Sequence, residues 1–534
     1  MEKRLIIAVA LSLMVLLVFQ KMSPKRQVEI PCQEERTSGL SQTVEESRAG
    51  DFLPGKKAKN KSLQKEDVTE IETEKYKMLF SDIGGNLKKL SIKGYNGDIP
   101  EEVLVEENEP DNQIFSTRSP LLPDLDTQKF KRTEGENFIE YTMEEDGLLS
   151  VTKRYVFRKS LDYIGLSLDV KNLSSRDILF SYQITGPSSL KKADIVAGRN
   201  FLEANALIDG KIWKTKAGKK TIEKNGSIAW VALKNRYFSL ILQSLEPAKS
   251  LIVQPEGTEK LVTRLNSGSY RIVPSETITS EYCLYAGPLD DKKIAGLGNE
   301  DMSGIVDYGF FGSVSKVLLA ILNFFYSMVH NWGVAIICLT ILINAILFPL
   351  TYKSFSSMQK MKKIQPHMVK LKELHKDNPH KLNKETMELY KKYNVNPLGG
   401  CLPMLLQMPI FIALYQGLMR SIELKGAHFL WIKNLARPEA VPLPFSLPVI
   451  GASINILPLL MVGMMVIQQK ISQGSTTEGT TPEQAKQQKM MMMFMPIIFG
   501  FLFYQMPSGL VLYWLTNTVL MTAEQIFIVK RTGE

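Results

Sequence analysis

The residues that could do chemistry in this chain are polar side chains set inside apolar runs. Thr340, Asn344 and Thr351 fall on one helical stripe (i, i+4, i+11), Gln407 and Gln416 interrupt a second run, and Thr516, Asn517, Thr518 and Thr522 interrupt a third. In a membrane helix such groups do one of two things. They hydrogen-bond to a neighbouring helix, at roughly 0.6–2 kcal/mol per contact, or they face a wetted cavity, where intramembrane polar groups tend to point. Spacing alone leaves both open. Nothing in the pattern suggests bond-making chemistry. The five histidines do not cluster with Cys or Asp at metal-ligand spacing, and neither a zinc-protease helix motif nor a P-loop occurs. The acids of residues 68–290 are scattered, as on a solvated sheet surface. The expectation is therefore a protein that is not an enzyme and holds no metal and no cofactor. A sugar- or lipid-binding role for residues 68–290 stays open.

The elements that must position these groups follow from a sharp split in composition. The 534 residues are 44% hydrophobic with a net charge of +10, but the apolar runs crowd into the second half. The basic excess lies in the loops of that half, which suits a membrane surface and lacks the basic fold with interleaved aromatics of a nucleic-acid binder. Lys3 and Arg4 precede the apolar run Leu5 to Phe19, and no small-x-small cleavage pattern follows, so residues 1–20 read as a retained anchor entering from the cytoplasm. Residues 21–67 read as a linker, too poor in large apolar groups to offset chain ordering. Residues 68–290 alternate apolar and polar positions between Gly/Asn/Ser turns, the pattern of a β-sandwich. Its strands are expected near Glu72 to Phe80, Leu87 to Ile92, Val151 to Phe157, Tyr163 to Val170, Ile228 to Leu233, Tyr237 to Gln243 and Glu281 to Ala286.

Residues 305–330 carry Lys316, Ala320, Asn323 and Ser327 on one stripe and either span or lie flat. Parity favours a flat interfacial helix: with residues 331–352 as the second crossing, the Lys-rich segment 353–395 then stays inside, as the positive-inside rule asks. That segment carries heptad-like apolar positions on both sides of Asn378-Pro379 and reads as a cytoplasmic helical hairpin. Further crossings are expected at 400–420, 445–467, 490–505 and 508–529, with a cytoplasmic loop at 468–489 and a cytoplasmic tail at 530–534. The fold class is a membrane α-helical bundle of six crossings plus a β-sandwich domain outside. The fifth and sixth apolar stretches are short, about 15 residues or roughly 22 Å, which suits locally thinned bilayer. Cys338 and Cys401 read as packing residues; Cys32 and Cys283 could pair in an oxidising compartment, but the linker position of Cys32 argues against a bridge.

Three motifs stand out: Asn396-Pro397-Leu398-Gly399-Gly400-Cys401, Gln407-Met408-Pro409-Ile410-Phe411, and Pro507-Ser508-Gly509-Leu510-Val511-Leu512-Tyr513-Trp514. They resemble signatures of the YidC membrane-protein insertase family, in its Gram-negative form with a large periplasmic domain. The resemblance is strong from Trp332 to Val529 and weaker in the β-rich region. It implies an insertase or chaperone of the bacterial inner membrane with both termini cytoplasmic. Its hydrophilic groove would be open to cytoplasm and lipid, closed outside, and would release a nascent membrane segment sideways. The residues it places around the client are Thr340, Asn344, Gln407, Met408, Phe411, Tyr513, Trp514 and Asn517. It also implies the Sec translocon, membrane lipids and, through the hairpin, the ribosome or signal recognition machinery as partners. One position departs from the pattern: the family's groove usually carries an Arg where this chain has Asn344. A secondary transporter or channel is the competing class; it calls for internal repeats with matching broken helices, and none is seen.

Overall fold

The computed structural model describes residues 65–96, 99–106, 110–157, 163–190, 201–216, 218, 220–257, 260–297, 300–306, 309–375, 378–393, 402–447, 451–473 and 494–532. The anchor at 1–20, most of the linker, the Asn396–Cys401 motif and most of the loop at 468–489 lie outside them. The described residues fall into two compact units, one β-rich and running to residue 307, the other helical and starting at residue 308.

In the β-rich unit, Val68–Glu72, Tyr76–Ser81, Asn86–Asn96 and Ile99–Val105 pair in sequence order as a four-stranded antiparallel sheet. A larger antiparallel sheet runs Lys211–Lys216, Glu203–Ile208, Ile222–Lys234, Phe238–Glu256, Thr277–Pro288, Tyr163–Asn172, Leu149–Phe157, Phe138–Glu145 and Lys131–Glu134. Strand alternation sets the packing. Leu149, Val151, Lys153, Tyr155 and Phe157 all turn to the buried face of their strand, as side chains two apart must. There the Phe80 ring of the small sheet lies 4.7 Å from the Tyr155 ring and 5.9 Å from that of Phe157.

The one cation in that inward row is fully buried. Lys153 Nζ donates to Gly84 O (2.8 Å), Asn86 Oδ1 (2.8 Å) and Phe115 O (2.7 Å). Three donors meet three acceptors, which is how a buried ammonium is accommodated. Cys283 is disulfide-bonded, which corrects the expectation that it stays unbridged; its partner lies outside the described residues, and Cys338 is a free thiol.

The helical unit contains α1 (Gly312–Val329), α2 (Trp332–Leu374), α3 (Pro379–Lys392), α4 (Leu402–Arg420), α5 (Ile456–Gln473), α6 (Phe494–Tyr504) and α7 (Ser508–Thr532). Among the described residues, α1 and the Trp332–Met361 part of α2 are long and apolar enough to cross a membrane, while Ile456–Ile471 and Phe494–Tyr504 are shorter apolar helices. Asn331 opens α2 by accepting from Val334 N (3.1 Å). The helix then runs 43 residues, from the second crossing straight into the lysine-rich segment, whose Lys, Met and Gln continue a helix readily. Asn378 caps α3, with Pro379 in its first turn. Met368 with Tyr390, His375 with Glu385 and His367 with Tyr393 then join α2 and α3 as an antiparallel pair. Leu374, expected on the seam, is exposed.

The start of the fourth crossing differs from expectation. Residues 441–454 form a β-hairpin, Val441–Leu447 with Gly451–Ile454, and α5 starts only at Ile456. Pro442 and Pro444 remove helix donors there. Helix α7 itself has 25 residues, roughly 37 Å, and so extends beyond the short apolar stretch within it.

Candidate functional site

The site is built around one turn of α7, reached from three sides. Helix α7 starts where Ser508 N and Ser508 Oγ both donate to Arg437 O (2.9 and 2.6 Å) and Gly509 N donates to Leu435 O (2.9 Å). A Cβ at Gly509 would lie 3.2 Å from that same Leu435 oxygen, tight enough to push the helix start away. The Pro507-Ser508-Gly509 motif thus fixes where α7 begins, and so where Tyr513 and Asn517 point.

From α2, Asn344 reaches Asn517. Its Nδ2 donates to Asn517 Oδ1 (2.9 Å) and to Thr340 O one turn back (2.8 Å). Both donors of the amide are thereby spent. Asn344 is 8% exposed, and Asn517 is also buried. Thr340 is on the same stripe, but its hydroxyl bonds its own helix, to Ile336 O (2.7 Å), the back-bonding common for Thr in a helix. Thr518 and Thr522 do likewise, to Trp514 O (2.9 Å) and Thr518 O (2.6 Å).

From α4, Gln407 Nε2 donates to the buried Tyr513 hydroxyl. One turn on, Phe411 meets the Trp514 ring edge to face at 4.8 Å, a favoured aromatic geometry. From α6, Phe499 and Phe503 close on the same Trp514 ring at 5.7 and 5.2 Å. Met408 is 42% exposed.

The structure therefore brings together Asn344 with Asn517, Gln407 with Tyr513, and Phe411 with Trp514. Thr340 joins through its carbonyl, and Met408 stands at the outer edge. Sequence reasoning missed Phe499 and Phe503; their i, i+4 spacing on an apolar run was the available signal. It also missed Glu439. That carboxylate accepts from Ile456 N (2.6 Å) and Leu457 N (2.9 Å) at the start of α5. Beside it, Asn455 Nδ2 donates to Tyr504 O at the end of α6 (2.6 Å). Burial pushes the Glu439 carboxyl up while the Leu457 and Ile456 amides pull it down, leaving it raised. The segment between α4 and α5 thus ties together the ends of α5, α6 and α7. No group of metal-ligating side chains is found among the described residues.

Comparison with known proteins covers both units. A family profile described as "60Kd inner membrane protein" matches residues 324–534, and one described as "YidC periplasmic domain" matches residues 68–321. The membrane protein insertase YidC of Pelobacter propionicus is 36% identical over the whole of both chains. Its counterpart from Citrifermentans bemidjiense is 32% identical, again over the whole of both. A crystal structure of an active YidC insertase aligns with 86% of this chain and 92% of its own at 18% identity. Its TM-score of 0.35 is too low to add an argument. Matches to both units and end-to-end identity with these relatives agree with the three motifs: the chain belongs to the YidC membrane-protein insertase family.

Proposed function

We propose that the protein inserts nascent membrane segments, and that the Tyr513–Asn517 turn of α7, with α2 and α4 around it, receives them. The observation that carries this is the double attachment of that turn, Asn517 to Asn344 and Tyr513 to Gln407. Polar groups paired this way form a neutral latch. A client's polar flank can exchange for one member of a pair, so the groove need not leave a bare donor in lipid. The partly buried Phe411 and Trp514, with exposed Met408 and Leu405 beside them, offer apolar contact to the client's hydrophobic stretch. Asn344 holds water or an amide without the roughly 2.5–3.5 kcal/mol that a central Arg costs on insertion scales. Partition of the client into lipid drives the step, at about 25 cal/mol per Å² of apolar surface removed from water. No nucleotide is required.

The same reading sets the topology. Six crossings place both termini in the cytoplasm of a bacterial inner membrane, with residues 68–290 in the periplasm, α1 along the outer surface and the α2–α3 pair inside. The tied ends of α5, α6 and α7 then close the groove on the periplasmic side. The lysines of the pair meet anionic lipid headgroups or the ribosome and signal recognition machinery, and the Sec translocon is a partner for clients too complex to insert alone.

Photo-crosslinking to a stalled nascent membrane protein tests the site. Probes at Phe411 and Trp514 should capture the client well above a probe at the exposed Ile346 of α2; equal capture at all three positions would sink the assignment. Asn344→Leu should slow insertion of clients with polar translocated tails, while Asn344→Arg should be tolerated.

A further inference from the structure

One charged group on the groove side of α7 has no counterpart in that mechanism. Tyr513, Asn517, Glu524 and Ile528 follow at i, i+4, i+11 and i+15, a single helical stripe. The first two are the residues that reach α4 and α2, and Ile528 is fully buried. Glu524 Oε2 is buried and has no hydrogen-bond partner among the described residues. The groove's other polar side chains, Thr340, Asn344, Gln407, Asn517, Thr518 and Thr522, are all neutral. Arg531 follows on the same stripe at the exposed end of α7; between Tyr513 and Ile528 the only formal charge is Glu524, a half-buried carboxylate whose Oε2 has no hydrogen-bond partner among the described residues. An unpaired buried charge is expensive, and intramembrane acids mark functional sites by default.

Its position along the helix says what would pair with it. Glu524 lies ten residues beyond Trp514, about 15 Å along the axis at 1.5 Å per residue. That is about half of a 30 Å hydrocarbon core. A client helix whose apolar midpoint rests on the Phe411–Trp514 pair, lying along α7, therefore ends its apolar stretch level with Glu524. The residues that flank membrane spans on the cytoplasmic side are Lys and Arg. Glu524 also lies six residues inside Lys530, about 9 Å, half-buried with its Oε2 enclosed.

We propose that Glu524 is a docking carboxylate for the basic residue at the cytoplasmic end of a client's membrane segment. It holds that residue inside while the other end crosses. Where the family's groove usually has a positive charge, this groove carries a negative one, placed nearer the cytoplasm. The client class it favours has Lys or Arg directly after its apolar stretch on the retained side. The proposal rests on the groove reading above and deepens it.

The test uses the full-length protein in cells depleted of their own insertase, with two clients that differ only in having Lys or Gln at the retained flank. The readout is the ratio of their insertion rates, at matched insertase levels. Glu524→Gln should lower the Lys-to-Gln ratio about threefold or more, the scale of one partly screened charge pair. Glu524→Lys should lower it further, and Glu524→Asp should keep most of it. An unchanged ratio in Glu524→Gln overturns the proposal. That holds whether both clients insert as before, as expected of a permanently protonated acid, or both slow equally, as expected of a packing residue. A photo-crosslinker at Phe411 in the otherwise unaltered protein separates the two ideas: capture of the Gln-flanked client there keeps the groove reading even when the ratio does not move, and loss of that capture removes the groove reading instead.

Discussion

Lys153 shows how a single side chain can join two sheets. It occupies an inward position of a strand whose other inward residues are apolar or aromatic, and its ammonium binds Gly84, Asn86 and Phe115, which lie outside that strand. Burial pushes its pKa down from 10.5 to about 7, against the pull of Asp126. Between about pH 7 and pH 10.5 the unfolded chain then binds more protons than the folded one, so this group makes stability rise with pH across that window. Below the window its burial cost is complete and constant. Lys153→Met should flatten that rise and leave three buried acceptors unpaired, each at roughly 1–3 kcal/mol, partly offset by relief of the buried charge. Melting of the purified full-length protein at a series of pH values checks both. A variant that melts like the parent with the same pH slope would mean that Lys153 is not the joint. The sequence gives no warning of this residue, because alternation marks Lys153 as inward only once its neighbours are known to be strand. Asn344 is the opposite case. Its stripe with Thr340 was legible, but its partner Asn517 lies 173 residues away, and local pattern carries no information about that pairing.

At the scale of elements, what the sequence made legible is what local physics decides. The strands at Val151 to Phe157 and Tyr163 to Val170 announce themselves by alternation, and the α3 start by Asn378-Pro379. Hydrophobicity alone carries a helix back to Phe445, across prolines that cannot donate to a helix. The chain begins α5 instead where Glu439 supplies the missing acceptor for Ile456 N and Leu457 N. A carboxylate at a helix N-terminus also meets the positive end of its dipole. Glu439→Ala should therefore fray the first turn of α5 at a cost of about 1 kcal/mol. Faster hydrogen exchange at the Ile456, Leu457 and Leu459 amides would report it, with Glu439→Gln intermediate. Exchange unchanged in the Ala variant would leave the cap without weight and the closure of the groove's outer end resting on Asn455 and Ser508 alone.

At the scale of the whole molecule the open matter is which side of the membrane each segment occupies, and α1 decides it. By length and composition α1 could span, and then the lysines of α2 and α3 would face outward. Its faces argue otherwise. At about 100° per residue, Ser315, Leu318 and Leu322 form one stripe, all buried. Ser315 lies against Gly417 of α4, where a Cβ would come within 2.7 Å of its hydroxyl. Val317, Phe324 and Met328 form a second stripe, apolar and exposed. Lys316, Ala320, Asn323 and Ser327 form a third, also exposed. One face for the bundle, one for lipid and one for water is what an interfacial helix needs; a spanning helix would turn the third stripe, with its lysine, into hydrocarbon. With α1 flat, the exposed Asn383 of α3 lies in the cytoplasm and the exposed Thr221 of the β-rich unit lies outside. Cysteines introduced singly at these two positions, in a Cys338→Ala background that keeps Cys32, Cys283 and Cys401, should separate under an impermeant thiol reagent. Thr221→Cys should label in intact spheroplasts above the background itself, and Asn383→Cys only after permeabilisation. Labelling of Asn383→Cys from outside would add a crossing at α1, move the lysine-rich pair to the periplasm and remove the path by which a client from the ribosome reaches Glu524 and Asn344.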